Sequence, residues 1–337
     1  MKFGVEEEFF LLSDGKPHEP PAGLFTDARG MPFSLSREPH QGVIEVISPI
    51  LDSPQSLASH IINSREWLLK KAENLGFTVF AGGTHPTINH KHVKFRDDFQ
   101  DTAFIEEYGA LFKSCLTFGQ HVHVGSIPRS KMPKVFNRLR PWQPFLMALA
   151  ANSQHFDGED TGIACYRQML YSRMPRTGTP PRMNSPEHSL RINATLLEKG
   201  CIYRPTLTWH DVRHHPTHNT FESRVMDIHP RSEGAAFNAL ITALVGHLAI
   251  TSPSKDAIEP LSYFMPDWMI EENRWRAIRY GRKAELVTPH GNIAVKDILI
   301  KLCEMLPSEW YSHHPEIQQH INNEINGYTC RKEVEHV

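Results

Sequence analysis

The chain has 337 residues, of which 40% are hydrophobic and 22% charged, and these proportions are typical of a soluble globular protein. Its formal net charge of −2 at pH 7 gives no general attraction to nucleic acid or to acidic membranes. The five cysteines are widely spaced and never form a CxxC pair, which favours reduced thiols in the cytoplasm over a disulfide framework or a zinc knuckle. The N-terminus leads into a charged strand without a secretory signal, and we see no repeat or linker. We therefore expect a cytoplasmic protein with a single domain over residues 1–337.

The first predicted element is a strand over residues 2–12, and it contains three consecutive acidic residues, Glu6, Glu7 and Glu8. Because side chains alternate between the faces of a strand, Glu6 and Glu8 share one face and Glu7 takes the other. A buried face seldom carries two unpaired carboxylates, since unpaired buried charge is costly, so this face is either wet or bound to cations. Glu7 is expected to take no part in the chemistry, and Glu7→Gln is expected to be tolerated.

The remaining elements follow from hydrophobic periodicity and from turn and cap residues. They are a loop over 13–37, a strand over 43–47, a helix from the Ser53 cap to Gly76, a strand over 77–81, a helix over 102–114, a strand over 120–124, helices within 130–152 interrupted by prolines, a proline-rich loop or cover over 174–190, a strand over 220–228, and helices over 232–251, 267–280, 295–306 and 315–326. The apolar stretch 237–251 is too short and too polar for a membrane span and is predicted to be a buried helix. Because strands and helices mix without strict alternation, the pattern indicates an α+β fold with a mainly antiparallel sheet.

Four of the predicted strands carry charged or coordinating side chains within otherwise apolar sequence. These are Glu6 and Glu8 on the first, Glu45 on the second, His121 and His123 on the third, and Glu222 and Arg224 on the fourth. Each pair also has an ordinary structural interpretation. Glu6 and Glu8 could be charges that protect an edge strand from pairing, His121 and His123 could be structural, and Glu222 and Arg224 could be a surface ion pair. Together they favour a single sheet face whose carboxylates would repel each other unless divalent cations were bound.

The types of potential ligand on this face indicate which metal ion would bind. Several carboxylates with one or two imidazoles suit Mg²⁺ or Mn²⁺ better than zinc, and oxygen-rich Mg²⁺ sites usually keep positions open for phosphates. An arginine beside such a site can stabilise a transferring phosphoryl group. The chain contains neither a P-loop nor a GxGxxG motif, so a nucleotide would not be held by a helix N-terminus of that kind.

These segments resemble the carboxylate–amine ligases of the type-2 glutamate–cysteine ligase family, in the glutamine synthetase-like superfamily. The matching segments, in the family's order, are GVEEEFFLL (4–12), residues 38–49 ending in VIEVISP, AGGTHP (81–86), GQHVHVG (119–125), residues 151–167 from ANS to YR, residues 208–230 around TFESRVMD, and ENRWRAIRYG (272–281). Departures fall at Gln154-His155-Phe156, Cys165, His210 and Asn219, near the expected substrate side.

The resemblance implies a glutamine synthetase-like catalytic fold, in which a curved, mainly antiparallel sheet forms a funnel with helices packed outside. It implies ATP with Mg²⁺ or Mn²⁺ as cofactors, small-molecule carboxylate and amine substrates, and a homodimer. By position, the metal or substrate-facing residues are Glu6, Glu8, Glu38, Glu45, His121 and Glu222. Arg224 matches the arginine aimed at the transferring phosphate, with Glu222 as its catalytic partner, and His123 and Arg213 match nucleotide-side positions.

The expected reaction is ATP-dependent amide formation through an acyl phosphate, with glutamate–cysteine ligation as the family's default. Three alternatives remain open at this stage: a metal-dependent hydrolase built on His121 and His123, a phosphotransferase on the same sheet face, and a non-catalytic relative that binds ATP or an amino acid. The nature of the bound metal and of the product separates them.

Overall fold

The computed structural model describes residues 1–251 and 265–334, with side chains as far as residue 326. The strands are β1 (Lys2–Ser13), β2 (Lys16–Pro17), β3 (Ser34–Arg37), β4 (Val43–Ile47), β5 (Thr78–Phe80), β6 (Gly119–Gly125), β7 (His155–Phe156), β8 (Glu159–Asp160), β9 (Thr177–Gly178), β10 (Trp209–His210), β11 (Val212–His214), β12 (Phe221–Asp227), β13 (Glu285–Thr288) and β14 (Gly291–Ala294). The α-helices are α1 (Ala22–Asp27), α2 (Pro54–Asn74), α3 (Thr102–Lys113), α4 (Met132–Leu139), α5 (Gln143–Ala150), α6 (Tyr166–Tyr171), α7 (His188–Glu198), α8 (Ser232–Thr251), α9 (Asp267–Tyr280), α10 (Val295–Met305) and α11 (Pro315–Val334).

The main sheet is open and antiparallel, with the strand order β11-β12-β6-β1-β4-β3. β1 lies near its centre and also pairs with the short strands β2 and β5. The predicted α+β class with a mainly antiparallel sheet is therefore confirmed.

One face of this sheet is covered by helices. Phe3 and Val5 of β1 belong to the same buried apolar cluster as Leu57 of α2, Phe145 of α5 and Leu240 of α8. Since side chains alternate along β1, the even-numbered Glu6 and Glu8 point to the opposite face. The helices thus fix which face of the sheet is left for polar groups.

Helix α8 supplies much of that apolar cluster. It has the length and hydropathy of a membrane span, but 78% of its most apolar window is buried inside the protein. The helix is 20 residues long and begins before the apolar stretch seen in the sequence. The predictions of a helix over 232–251 and of its burial are both confirmed.

Local signals account for the boundaries of some helices. Ser53 caps α2 by accepting a hydrogen bond from the Ser56 amide, and the chain leaves the helix through Gly76 at φ 78°. Prolines divide residues 132–150 into α4, a short 3₁₀ turn and α5.

Two loop predictions need correction. Residues 13–37 contain β2, α1 and β3, because pairing with β1 and β4 gives this polar segment strand structure that its own sequence does not predict. The proline-rich segment 174–190 contains β9, which pairs with β10, and the beginning of α7. Both differences arise from tertiary pairing.

Candidate active site

The register of the main sheet brings the predicted site residues together. Glu6 on β1 lies directly opposite His121 on β6, and Glu8 lies opposite Glu45 on β4. Glu222 on β12 lies opposite both His123 on β6 and Arg213 on β11. Directly opposite residues in an antiparallel pair have Cβ atoms about 4.5–5.5 Å apart, so the side chains of five neighbouring strands meet on one face.

Two sets of three side chains are close enough to share an ion. Glu6, His121 and Glu222 form the first set, and Glu8, Glu45 and His121 form the second; within each set the potential ligand atoms all lie within 4.8 Å of one another. His121 belongs to both sets, so the two positions adjoin. Glu38 belongs to neither set, but it is close enough to Glu8 and Glu6 for their negative charges to raise its pKa.

The carboxylates on this face differ sharply in acidity. Burial and repulsion from Glu8 and Glu6 raise the pKa of Glu38 to about 8, and burial with repulsion from Glu6, Glu38 and Glu8 raises the pKa of Glu45 well above its usual range. Burial alone would also favour protonated Glu6, but the imidazoles of His121 and His123 beside it hold the pKa of Glu6 well below the ordinary value. The surroundings of Glu38 and Glu45 therefore favour the protonated form, whereas those of Glu6 favour the ionised form.

Glu222 is fully buried and is held by two arginines. Its Oε2 accepts a hydrogen bond from Arg213 Nε at 2.6 Å, and its Oε1 accepts from Arg224 Nη1 and from Arg213 Nη2. Although burial opposes ionisation, the charges of Arg224 and Arg213 hold the pKa of Glu222 far below its usual range. The carboxylate stays ionised, and its charge is matched by the two guanidinium groups.

The two histidines of β6 both reach Glu6. His121 Nδ1 lies 3.3 Å from Glu6 Oε2, and His123 Nε2 lies 3.3 Å from Glu6 Oε1. His123 Nδ1 contacts Thr220 Oγ1 at 2.8 Å, whereas its buried Nε2 makes no hydrogen bond to any described residue. Burial lowers the pKa of His121, so this ring is neutral and can act as a metal ligand.

Sequence reasoning did not identify Arg167 as a site residue. This arginine of α6 is almost fully buried, and its Nη2 lies 3.3 Å from His121 Nε2 while its Nη1 donates to the Arg224 carbonyl oxygen at 3.2 Å. Because arginine only donates, His121 Nε2 is the acceptor in this contact. The Tyr-Arg pair at 166–167 was part of the matched segment, but nothing in the local sequence indicated where the guanidinium would reach.

Gly119, at the start of β6, makes room for that guanidinium. A Cβ at this position would lie 2.2 Å from Arg167 Nη2, and the Gly119 amide donates to Glu8 Oε2 at 2.6 Å. The glycine in the GQHVHVG segment is therefore required by the close approach of α6 to the sheet.

Glu7 lies on the opposite face, as expected, but it is not a surface residue. It is almost fully buried and forms a two-point ion pair with Arg65 of α2, at 2.7 and 3.0 Å, with a further hydrogen bond from Gln120. It takes no part in the carboxylate cluster. The expectation that Glu7→Gln is tolerated has to be changed, because removing one charge of a buried pair leaves the other unpaired.

A cavity of about 260 Å³ opens next to the cluster, at the Glu6 and His123 end. Its walls are mainly apolar and include Ile47, Pro49 and Ile50. A flat, weakly polar group could bind there with charged groups directed toward Glu6.

The donor set fits hard divalent cations. Neighbouring carboxylates on one face repel each other, as the raised pKa values of Glu38 and Glu45 show, and His123 Nε2 is a buried nitrogen without a hydrogen-bond partner among the described residues. Carboxylate oxygens with one or two imidazoles suit Mg²⁺ or Mn²⁺. The residues present therefore match the ion type inferred from the sequence.

Comparison with known proteins identifies the family. A sequence model described as glutamate–cysteine ligase family 2 (GCS2) matches residues 2–312. The chain is 29% identical over 298 residues to a glutamate–cysteine ligase of Haloquadratum walsbyi and 30% identical over 298 residues to one of Haloferax volcanii, in each case over 85% of this chain and 80% of the relative.

Solved structures agree at the level of the fold. A glutamate–cysteine ligase from Francisella tularensis in complex with AMP superimposes with a TM-score of 0.60 at 12% identity, over 96% of this chain and 82% of that chain. A bifunctional glutathione synthetase from Pasteurella multocida superimposes with a TM-score of 0.61 at 13% identity over 97% of this chain, which spans only 47% of that longer protein. The glutamine synthetase-like fold expected from the sequence is confirmed, and the chain belongs to glutamate–cysteine ligase family 2.

Proposed function

We propose that this chain is an ATP-dependent carboxylate–amine ligase whose reaction is carried out on the carboxylate face of the main sheet. The observation that carries the proposal is the convergence of Glu6, Glu8, Glu45, His121 and Glu222 from four strands, with Arg213 and Arg224 on the Glu222 carboxylate. Family membership supports an ATP-dependent carbon–nitrogen ligase over the hydrolase alternative.

Mg²⁺ or Mn²⁺ would be held by Glu6, His121 and Glu222 in one position and by Glu8, Glu45 and His121 in the other, with Glu38 beside them. When bound, such ions neutralise the charge of the ATP phosphates and help to orient them. The role of the protein is to hold the ligand oxygens in place. Arg213 contributes by holding both oxygens of Glu222.

The reaction proceeds in two steps. A carboxylate oxygen of the acid substrate forms a bond to the γ-phosphorus of ATP, and the bond from that phosphorus to the β,γ-bridging oxygen breaks, which releases ADP. The amine nitrogen then attacks the acyl carbon, loses a proton and displaces phosphate, which leaves the amide. Activation is needed because an ionised carboxylate does not accept an amine directly in water.

Arg224 is the residue we assign to the transferring phosphoryl group. Its side chain is largely buried, and the neighbouring Glu222 and Tyr171 keep its pKa above the ordinary value despite burial, so its charge is permanent. A fixed cation in a buried site stabilises negative charge that develops on the phosphoryl oxygens.

The apolar cavity beside Glu6 and His123 is the position we assign to the adenosine part of ATP. Its walls suit a flat base, and the phosphates would then extend along β1 toward Glu6. A cytoplasmic location agrees with ATP as substrate and with the free thiols of Cys115, Cys165, Cys201 and Cys303.

The test is Mg·ATP-dependent ADP release, measured over a panel of acids and amines that begins with glutamate and cysteine, with mass analysis of the products. We expect Glu222→Gln and Arg224→Ala each to lower turnover by about 10²–10³-fold or more, because each removes a charge at the phosphoryl site. An amide product identifies a ligase, whereas a phosphorylated acid that accumulates in the presence of amines identifies a phosphotransferase.

The matched controls come from an ion pair of the same two residue types on the surface of α9. Glu272 and Arg276 are 2.7 Å apart, with side chains 43% and 29% exposed. Glu272→Gln and Arg276→Ala should leave turnover unchanged. Near-wild-type turnover in either site variant would overturn the role assigned to that residue, and stoichiometric zinc without ATP dependence would favour the hydrolase.

A further inference from the structure

A second cavity, of about 270 Å³, lies at the edge of the main sheet and away from the carboxylate cluster. One wall is the edge strand β11, and the facing wall is α7, through Ile192 and Leu196. Pro180 and Met183, from the proline-rich segment predicted to form a cover, close a third side. The reaction proposed above makes no use of this cavity.

Among the described residues that line this cavity, the permanently charged side chains are both arginines, Arg176 and Arg213. Among the described residues that line it there are basic side chains and no aspartate or glutamate; the basic ones are Arg176, His188, His210, Arg213 and His214. The rest of the lining is mostly apolar, including Phe136 and Ile192. A cavity of this kind excludes cations and accepts an apolar molecule that carries a negative charge.

Arg176 is the cation without a counterion. Its Nε donates to the Leu207 carbonyl oxygen at 2.9 Å and its Nη2 to the Tyr108 hydroxyl at 2.6 Å, both neutral acceptors. No carboxylate lies within 4.0 Å of it among the residues that the structure describes, in contrast to Arg213, which is paired with Glu222. A half-buried guanidinium with neutral partners attracts an anion more strongly than a paired one does.

His210 provides a second polar contact for a ligand. Its Nδ1 is buried and has no hydrogen-bond partner within the described part of the chain. Burial lowers the pKa of His210, and its unpartnered Nδ1 can form a hydrogen bond with a polar group of a bound molecule. This is also a position where the sequence departs from the family pattern.

We propose that this cavity binds a small apolar carboxylic acid. Its hydrocarbon part packs against Phe136, Met183 and Ile192, and its carboxylate faces Arg176. Arg213 lines the cavity and also holds both oxygens of Glu222, so an occupant is in contact with the residue that positions the proposed phosphoryl site. The proposal concerns binding alone and does not depend on the ligase reaction.

The test uses three probes of the same shape: 3-phenylpropionate, 3-phenylpropylamine and 3-phenylpropanol. Their binding is measured by calorimetry and by ligand-observed NMR on the full chain without ATP or Mg²⁺. We expect the acid to bind about tenfold tighter than the alcohol and the amine, because only the carboxylate can accept a charge-assisted hydrogen bond from Arg176. Because no turnover is needed, the result does not depend on whether the proposed ligase reaction occurs.

Two variants locate the site. Ile192→Trp fills the cavity from α7, and we expect it to weaken binding of the acid by about tenfold or more, since the cavity is small. Ile105→Trp on α3 is the matched control, because both isoleucines are 36% exposed and Ile105 is not in the lining. Arg176→Gln should reduce the preference for the acid over the alcohol to about threefold or less, because it removes the charge.

Three results would overturn the proposal. They are no binding of the acid to the wild-type chain, equal binding of the three probes, and equal effects of Ile192→Trp and Ile105→Trp. If Arg176→Gln proves unstable in thermal melts, the comparison of the two tryptophan variants still decides the location.

Discussion

At the scale of single residues, neighbouring acids on β1 have different roles because they face different sides of one sheet. Glu6 faces the histidines of β6 and belongs to a potential ion-binding set. Glu7 faces the helices and is held by Arg65 in a pair whose side chains are only 2% and 3% exposed. Glu6 therefore lies among potential ion ligands, whereas Glu7 links the sheet to α2.

Glu7→Gln should therefore destabilise the protein without removing a catalytic group. We expect the free energy of unfolding to fall by about 3 kcal/mol or more, because the Arg65 charge is left buried without its counterion. Chemical denaturation measures this change, and ADP release by the remaining folded protein should be nearly normal. Glu6→Gln should show the reverse, with loss of turnover and a smaller change in stability.

Glu66→Gln is the control for both variants, since Glu66 is exposed on α2 next to Arg65. Its denaturation midpoint and its turnover should match those of the wild type. If Glu7→Gln were as stable as this control, the ion pair with Arg65 would have no structural role.

At the scale of elements, the site depends on how closely α6 approaches β6. The side chain of Arg167 passes over Gly119 and reaches His121. The backbone amide of Arg167 donates a hydrogen bond to Ser153 Oγ at 3.0 Å. Ser153 Oγ in turn donates to Asp227, the last residue of β12, at 2.7 Å. One end of the strand that carries Glu222 and Arg224 is thereby tied to the helix that supports His121.

Gly119→Ala should disturb this contact. The added methyl would overlap the Arg167 guanidinium, so we expect a loss of about 1–3 kcal/mol in stability and a clear drop in turnover, as for other overpacked sites. Gly23→Ala on α1 is the control, because its Cβ would meet nothing closer than 3.9 Å. Unchanged turnover in Gly119→Ala would show that Arg167 does not need its present position.

At the scale of the whole molecule, the carboxylate face should make stability depend on pH and on Mg²⁺. The pKa of Glu38 is raised from about 4.5 to about 8 in the folded protein. Between these values the folded state keeps a proton that the unfolded state has lost, so the free energy of unfolding falls as pH rises through this range. Glu45, whose pKa is also raised, acts in the same direction.

We predict that the metal-free protein loses stability between pH 7 and pH 8, by about 1 kcal/mol from Glu38, and Glu45 acts in the same direction. This window lies above the ordinary titration of histidine, so the buried neutral histidines contribute little to the slope. Saturating MgCl₂ should flatten or reverse the slope, because ions that bind carboxylates favour the ionised form. Denaturation curves with MgCl₂ and with KCl at equal ionic strength test this, and identical slopes would argue against cation binding at this face.

Much of the site was predictable because it depends on strand alternation. The alternation around Glu6, His121 and Glu222 predicted that these three side chains share one face of the sheet. The cross-strand register then brings them close together. Arg167 was not predictable in the same way, because a long side chain from a six-residue helix reaches His121 only through tertiary packing. The small strands within residues 13–37 escaped prediction for a related reason: their partners are β1 and β4, and their own sequence is polar and rich in turn residues.

The central position of β1 has a consequence for how the chain folds. Glu6 pairs with a residue 115 positions later, and β12 joins the sheet only after a further hundred residues of chain. Contacts between residues so far apart in the sequence make folding slow. Apolar strands that stay unpaired and exposed during folding are prone to aggregation. During synthesis the segment carrying Glu6 and Glu8 therefore emerges long before its neighbours, and productive folding of the newly made chain should depend on keeping that strand from pairing with other molecules.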